Sequence, residues 1–153
     1  MLAEKIVYFL AGLPRSGSTL LANILAQNGR FHVTPTSGIV DMLVQVRNGW
    51  DRNDAFQAME RDLSERVKER VLKAMLQAYF ADVEQPICID KNRYWCEFLE
   101  MAAKLVGGRE KVYVLVTVRD LRDVAASFEL LYRKTSALGQ LPQEAATALK
   151  FKT

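Results

Sequence analysis

The chain has 153 residues, half of them apolar and a quarter charged, with a net charge of +3. That length can bury a real core, and the mild charge admits an anionic ligand without arguing for nucleic acid. No basic run is interleaved with aromatics, and the longest apolar stretches fall far short of a membrane span. The first strand follows Met1 almost at once, which leaves no room for a signal peptide. Cys88 and Cys96 read as reduced, buried thiols of a cytoplasmic protein, and the single histidine, His32, excludes a metal cluster built on several histidines.

Lys5 to Ala11 (KIVYFLA) is a short apolar run rich in strand formers, as a parallel strand covered on both faces requires. Gly12-Leu-Pro-Arg-Ser-Gly-Ser-Thr19 follows, and Leu21, Ile24, Leu25 and Asn28 then recur at helical spacing over Ser18 to Asn28. A strand, a glycine turn and a helix leave free N–H groups at Ser16, Gly17, Ser18 and Thr19, converging on one spot that the helix dipole makes positive. The nucleoside-triphosphate form of this loop is G-x-x-x-x-G-K-[ST]. Here Gly12, Gly17 and Thr19 keep their places, but Ser18 stands where the lysine belongs and Arg15 is the only cation. Such a loop can hold phosphate but is poorly built to pull on a γ-phosphate. The plain alternative is a glycine turn with a serine N-cap.

Further along, Arg30 to Thr34 is the second expected strand and Thr34 to Gly38 a turn cluster. A helix is expected from Ile39 to Arg47, ending near Asn48-Gly49. From Arg61 to Phe80 a long helix is expected to bury Leu63, Val67, Val71, Met75 and Tyr79, with Asp62–Arg66 and Glu69–Lys73 pairs outside. Pro86 to Ile89 reads as a strand leading into Asp90-Lys91-Asn92. A helix from about Tyr94 to Val106 should stop at Gly107-Gly108. Lys111 to Val118 is another buried-strand run, followed by Arg119-Asp-Leu-Arg-Asp-Val-Ala-Ala-Ser127 and a helix from Leu121 to about Thr135; Gln143 to Lys150 is expected to form a last short helix. Arg119 offers a planar fork for a phosphate dianion. Alternatively, Arg119 and Arg122 pair with Asp120 and Asp123 on a solvated face. There is no internal repeat.

Pro14 to Leu21 fits P-[KR]-S-G-[TS]-[TS]-[LW]-L, the 5′-phosphosulfate loop of the sulfotransferases that use 3′-phosphoadenosine-5′-phosphosulfate (PAPS). Arg119 and Ser127 fit that family's 3′-phosphate motif R-[DN]-P-R-D-V-x-x-S, with Leu121 in place of the proline. The chain thus resembles PAPS-dependent sulfotransferases of the bacterial type from Val7 to about Lys134. The resemblance implies an α/β fold, a three-layer sandwich with a central, mainly parallel sheet like that of P-loop nucleoside triphosphate hydrolases. It implies a single domain over residues 1–153, PAPS as donor and adenosine 3′,5′-bisphosphate as product, no metal, and a hydroxyl or amine acceptor whose identity the sequence does not carry. Arg15 would contact the 5′-phosphosulfate, Ser16, Gly17, Ser18 and Thr19 would hold the 5′-phosphate, and Arg119 and Ser127 the 3′-phosphate. Lys91, in a segment resembling D-K-x-P but lacking the proline, would contact the sulfuryl group or the acceptor; the plain alternative is an exposed lysine after a strand.

Family members are longer, and their C-terminal half supplies a basic R-K-G-type loop that does not follow Ser127 here. The chain is therefore expected to be truncated at its C-terminus, a poor enzyme alone and prone to form homo-oligomers. The family's general base, a histidine or a glutamate, has no match at its usual places. Asp90 and Asp41 are carboxylates in suitable neighbourhoods, and His32 lies on the second strand. Two other readings stay open: a P-loop kinase or NTPase without its lysine, and a non-catalytic nucleotide-binding fragment.

Overall fold

The computed structural model describes residues 5–139. Strand β1 (Ile6–Gly12) leads to α1 (Ser18–Leu25) and β2 (Phe31–Val33). Helices α2 (Ile39–Arg52), α3 (Asp54–Gln57) and α4 (Arg61–Tyr79) follow, then β3 (Ile87–Lys91) and a 3-10 turn at Arg93–Cys96. Helix α5 (Leu99–Val106), a second 3-10 turn at Arg109–Lys111, β4 (Val114–Thr117) and α6 (Leu121–Gly139) complete the described chain. A helix stands between each strand and the next, which is what a parallel ladder needs. The four strands are all parallel, in the order β2-β3-β1-β4.

Side-chain alternation along the strands divides the core in two. Val7, Phe9 and Ala11 of β1 and Cys88 of β3 pack with Val40, Leu43, Leu72, Leu76 and Leu105 from α2, α4 and α5. Leu10, Ile87 and Ile89 face the other way, toward Ala22 of α1. Phe9 is fully buried and its ring lies 4.2 Å from that of Trp95. Each such side chain contributes about 1.5–3 kcal/mol by leaving water.

Several elements differ from their sequence expectation. Helix α2 runs through Asn48-Gly49 to Arg52. Its Trp50 stacks on Phe56 at 3.7 Å and donates its indole N–H to Ser64 Oγ at 3.0 Å. This burial outweighs the penalty of about 1 kcal/mol for an interior glycine. The buried face of α4 is Ser64, Lys68, Leu72 and Leu76, one position round from the expected stripe; Leu63 and Tyr79 are exposed. Polar residues occupy that face because they have partners. Ser64 takes the indole, and Lys68 Nζ lies 2.6 Å from both Asp51 and Glu65. Burial opposes the Lys68 charge, but those two carboxylates prevail and hold its pKa above the ordinary lysine value. Glu69 reaches Lys104 of α5 at 2.6 Å.

The helix expected from Tyr94 is split. Asn92 Oδ1 accepts the Tyr94 N–H at 2.9 Å and starts a 3-10 turn, so α5 begins only at Leu99. Gly107 ends α5 in the left-handed region, as expected. Both cysteines are free; Cys88 is buried, but Cys96 is exposed. The helix expected at Gln143 to Lys150 lies outside the described residues.

Candidate functional site

The site begins where β1 ends. Gly12 has φ 147°, and a Cβ there would lie 2.2 Å from Thr117 Oγ1 on β4. Only glycine lets the two strand ends close at this point. Gly17 is the N-cap of α1, with φ 97° and no side chain to cap the helix. The first-turn N–H groups of α1 therefore lack a capping side chain, and together with the helix dipole they suit an anion.

Ser16 departs from expectation. Its N–H donates to Leu13 O at 3.1 Å, and its hydroxyl lies 2.6 Å from both Leu13 O and Thr117 Oγ1. Ser16 is thus a brace between the loop and β4, and its N–H is not one of the free donors. Gly17, Ser18 and Thr19 keep that role.

The 119–127 segment meets the same loop. Arg15 Nε donates to Ser127 Oγ at 2.8 Å, and Arg119 Nη1 donates to Arg15 O at 3.1 Å. The two stretches, far apart in sequence, meet at one junction. Of the two acid pairings considered from the sequence, Arg122 makes the tight one, a fork onto Asp120 at 2.9 and 3.1 Å. That fork holds the Asp120 carboxyl below the usual range. Arg119 meets Asp123 only at 3.6 Å, across one helical turn, and stays half-exposed toward the loop.

Strand β3 supplies the floor. Lys91 Nζ donates to Thr19 Oγ1 at 3.0 Å and to Pro35 O at 2.8 Å, spanning from the loop to the segment after β2. Desolvation lowers the Lys91 pKa from the ordinary lysine value. The Lys91 N–H donates to Thr34 Oγ1 at 2.8 Å, Ser37 N–H donates to Lys91 O at 3.0 Å, and Asn92 Nδ2 donates to Ser37 O at 2.7 Å. These bonds fix residues 34–38 against the end of β3.

Asp90 lies beneath this floor, fully closed to solvent. Its Oδ2 accepts the Trp95 indole N–H at 2.7 Å, and Oδ1 has no partner. Burial pushes the Asp90 carboxyl up, against the opposing effect of nearby Ser37, Trp95 and Thr34. An acceptor cannot reach it. The base role considered from the sequence therefore does not fit there.

Above the floor lies a cleft of about 590 Å³, open between the loop, the start of α2 and residues 91–94. Arg15, Ser18, Thr19 and Lys91 line it, as does Asp41. Arg93, whose guanidinium sits 5.0 Å from the Tyr94 ring centre, and Tyr94 form the far wall. His32 is not in the lining; it is half-buried, edge-on to Phe80 at 6.1 Å. Sequence reasoning missed Thr117, Thr34, Ser37 and Asn92 as supports. Thr117 had a signal, since it closes the strand two residues before Arg119. The other three lay in stretches read only as turn and strand end.

Residues 8–149 match the sequence model of the sulfotransferase family. No curated protein matches the chain. Among the described residues, no helix is long and apolar enough to cross a membrane.

Proposed function

Because the chain belongs to the sulfotransferase family, we propose that it moves a sulfuryl group from PAPS to a hydroxyl or amine acceptor. The observation that carries this reading is the junction of the two anion-binding segments, with Arg15 bonded to Ser127 and Arg119 bonded to the Arg15 carbonyl. A ligand with phosphates at two ends is what such a junction suits. A mononucleotide with one phosphate group leaves half of it unused.

In this reading the first-turn N–H groups of α1 and the Ser18 and Thr19 hydroxyls hold the 5′-phosphate, and Arg119 with Ser127 holds the 3′-phosphate. Arg15 lies between them, where charge grows on the departing phosphate. Lys91 reaches the sulfuryl end, because Thr19 and Pro35 fix its ammonium at the cleft floor. The acceptor enters from the side of Asp41, Arg93 and Tyr94. Transfer is in-line: the acceptor–sulfur bond forms as the sulfur–phosphate oxygen bond breaks. Positioning and preorganised charge supply most of the acceleration.

The deciding measurement is calorimetry with adenosine 3′,5′-bisphosphate against 5′-AMP and ATP. The bisphosphate should bind tightest. Tightest binding of ATP, with magnesium-dependent hydrolysis, would replace this reading with that of an NTPase.

A further inference from the structure

The proposed transfer leaves a proton to be placed. A hydroxyl attacking sulfur must lose its hydrogen, and the group that takes it must face the acceptor. The charged lining of the cleft is mostly cationic: Arg15 from the loop, Lys91 from β3 and Arg93 from the 3-10 turn, with the Tyr94 phenol beside it. Guanidinium and ammonium groups have no acceptor capacity. Lys91 is further committed as a donor to Thr19 and Pro35. Asp90 is sealed under the floor with its Oδ2 on Trp95, and His32 stands outside the lining. Asp41 is the one carboxylate among the described residues lining the cleft, and it is exposed.

Its mounting is rigid. Asp41 lies in the first turn of α2, whose neighbours Ile39 and Val40 are buried in the core. The start of that helix is fixed by the Ile39 N–H bond to Ser37 Oγ at 3.1 Å, and Ser37 is in turn bonded to Lys91 and Asn92. One hydrogen-bonded chain therefore sets the wall carrying Asp41 relative to the lysine at the floor.

We propose that Asp41 is the general base that takes the acceptor's proton; this rests on the sulfuryl-transfer reading. As the acceptor oxygen–sulfur bond forms, the acceptor proton passes to the Asp41 carboxylate. The sulfur–oxygen bond to the 5′-phosphate breaks, and adenosine 3′,5′-bisphosphate leaves with the electron pair. Asp41 then gives the proton to water.

The test compares the unmodified chain with Asp41→Asn and Asp41→Glu. PAPS is supplied with water alone and with a panel of simple phenols and alcohols, and bisphosphate release and labelled product are followed across pH. Calorimetry with adenosine 3′,5′-bisphosphate and a thermal melt accompany each variant. Asp41→Asn should bind the bisphosphate as the unmodified chain does and melt as a folded protein. Its kcat should fall on the order of 100-fold or more, and the acid limb of its kcat profile should disappear. Asp41→Glu should recover part of the rate and restore the limb. An Asp41→Asn chain with unchanged kcat and an intact acid limb would overturn the proposal. So would an unmodified chain that binds the bisphosphate yet transfers to neither water nor the panel. Failure of the unmodified chain to bind the bisphosphate would overturn the sulfuryl-transfer reading itself, and this assignment with it.

Discussion

Arg15 is the one non-glycine residue among those described with a positive φ, at 68°. A side chain in that region costs about 1–2 kcal/mol. Glycine would relieve the strain, while the extra freedom of the unfolded chain would take back about 0.4–1 kcal/mol. Arg15→Gly should therefore leave the melting temperature unchanged or slightly raised. Affinity for adenosine 3′,5′-bisphosphate should fall about 10- to 100-fold, because a charge-assisted contact worth about 1.5–3 kcal/mol is lost. Calorimetry beside a thermal melt separates the two effects, and EDTA should change neither. Arg119→Ala should erase most of the preference for the bisphosphate over 5′-AMP, read as the ratio of the two affinities. A ratio near one in the unmodified chain would argue against a 3′-phosphate contact there.

Asp90 makes a different expectation at the same scale. Its folded-state pKa is raised by burial, so the native state holds the proton more tightly than the unfolded chain does. The stability it contributes is fully present below the unfolded carboxyl value. It is lost as pH rises through the raised folded value. Asp90→Asn keeps an acceptor for the Trp95 indole and removes the ionisation. The urea midpoint of this variant, relative to the unmodified chain, should therefore improve over the pH window that opens at the ordinary carboxyl value of about 4 and closes at the raised folded value. A constant difference across that window would mean that Asp90 ionises as readily folded as unfolded.

Among the elements, α2 and α4 hold together through polar groups as much as apolar ones. Ser64→Ala would leave the buried Trp50 indole N–H without its partner, a loss of about 1–3 kcal/mol. A denaturation midpoint lowered with an unchanged m-value is the expected readout. The helix itself is where the sequence places it, but its buried face lies one position round from the apolar stripe. Periodicity finds apolar stripes, and Leu63, Val67, Val71, Met75 and Tyr79 make one, but the helix turns to bury Lys68 between two carboxylates. No local pattern announces a charged residue facing inward. The motifs at Pro14 to Leu21 and Arg119 to Ser127 were legible for the opposite reason: their spacing is local. The Ser16–Thr117 brace and the sealed Asp90 were not legible, since both depend on which strand lies beside which. The register that sets Gly12 against Thr117 and Phe9 against Asp90 joins stretches that are distant in sequence.

Across the molecule, apolar exposure is uneven. Leu20 and Ile24 of α1, Leu115 and Val116 of β4, and Leu121, Leu130 and Tyr132 of α6 are all exposed. Helix α6 buries Val124 and half-buries Ser127, while most of its other described side chains face outward. Surface of this kind favours association. Sedimentation should show the mass rising with concentration, and the double change Leu130→Lys and Tyr132→Lys should reduce that rise without lowering the melting temperature. A mass independent of concentration would mean that this surface is inert.

The strand order also governs how the protein comes into being. Strand β1 is synthesised before both of its ladder partners, β3 and β4, which begin at Ile87 and Val114. Until β3 and β4 arrive, the apolar run from Val7 to Ala11 has no sheet to join, and until β3 arrives the cleft lacks its floor. Such non-local pairing is slow and leaves the growing chain open to aggregation. Of the four strands described, β1 is thus the one kept waiting longest for its last ladder partner.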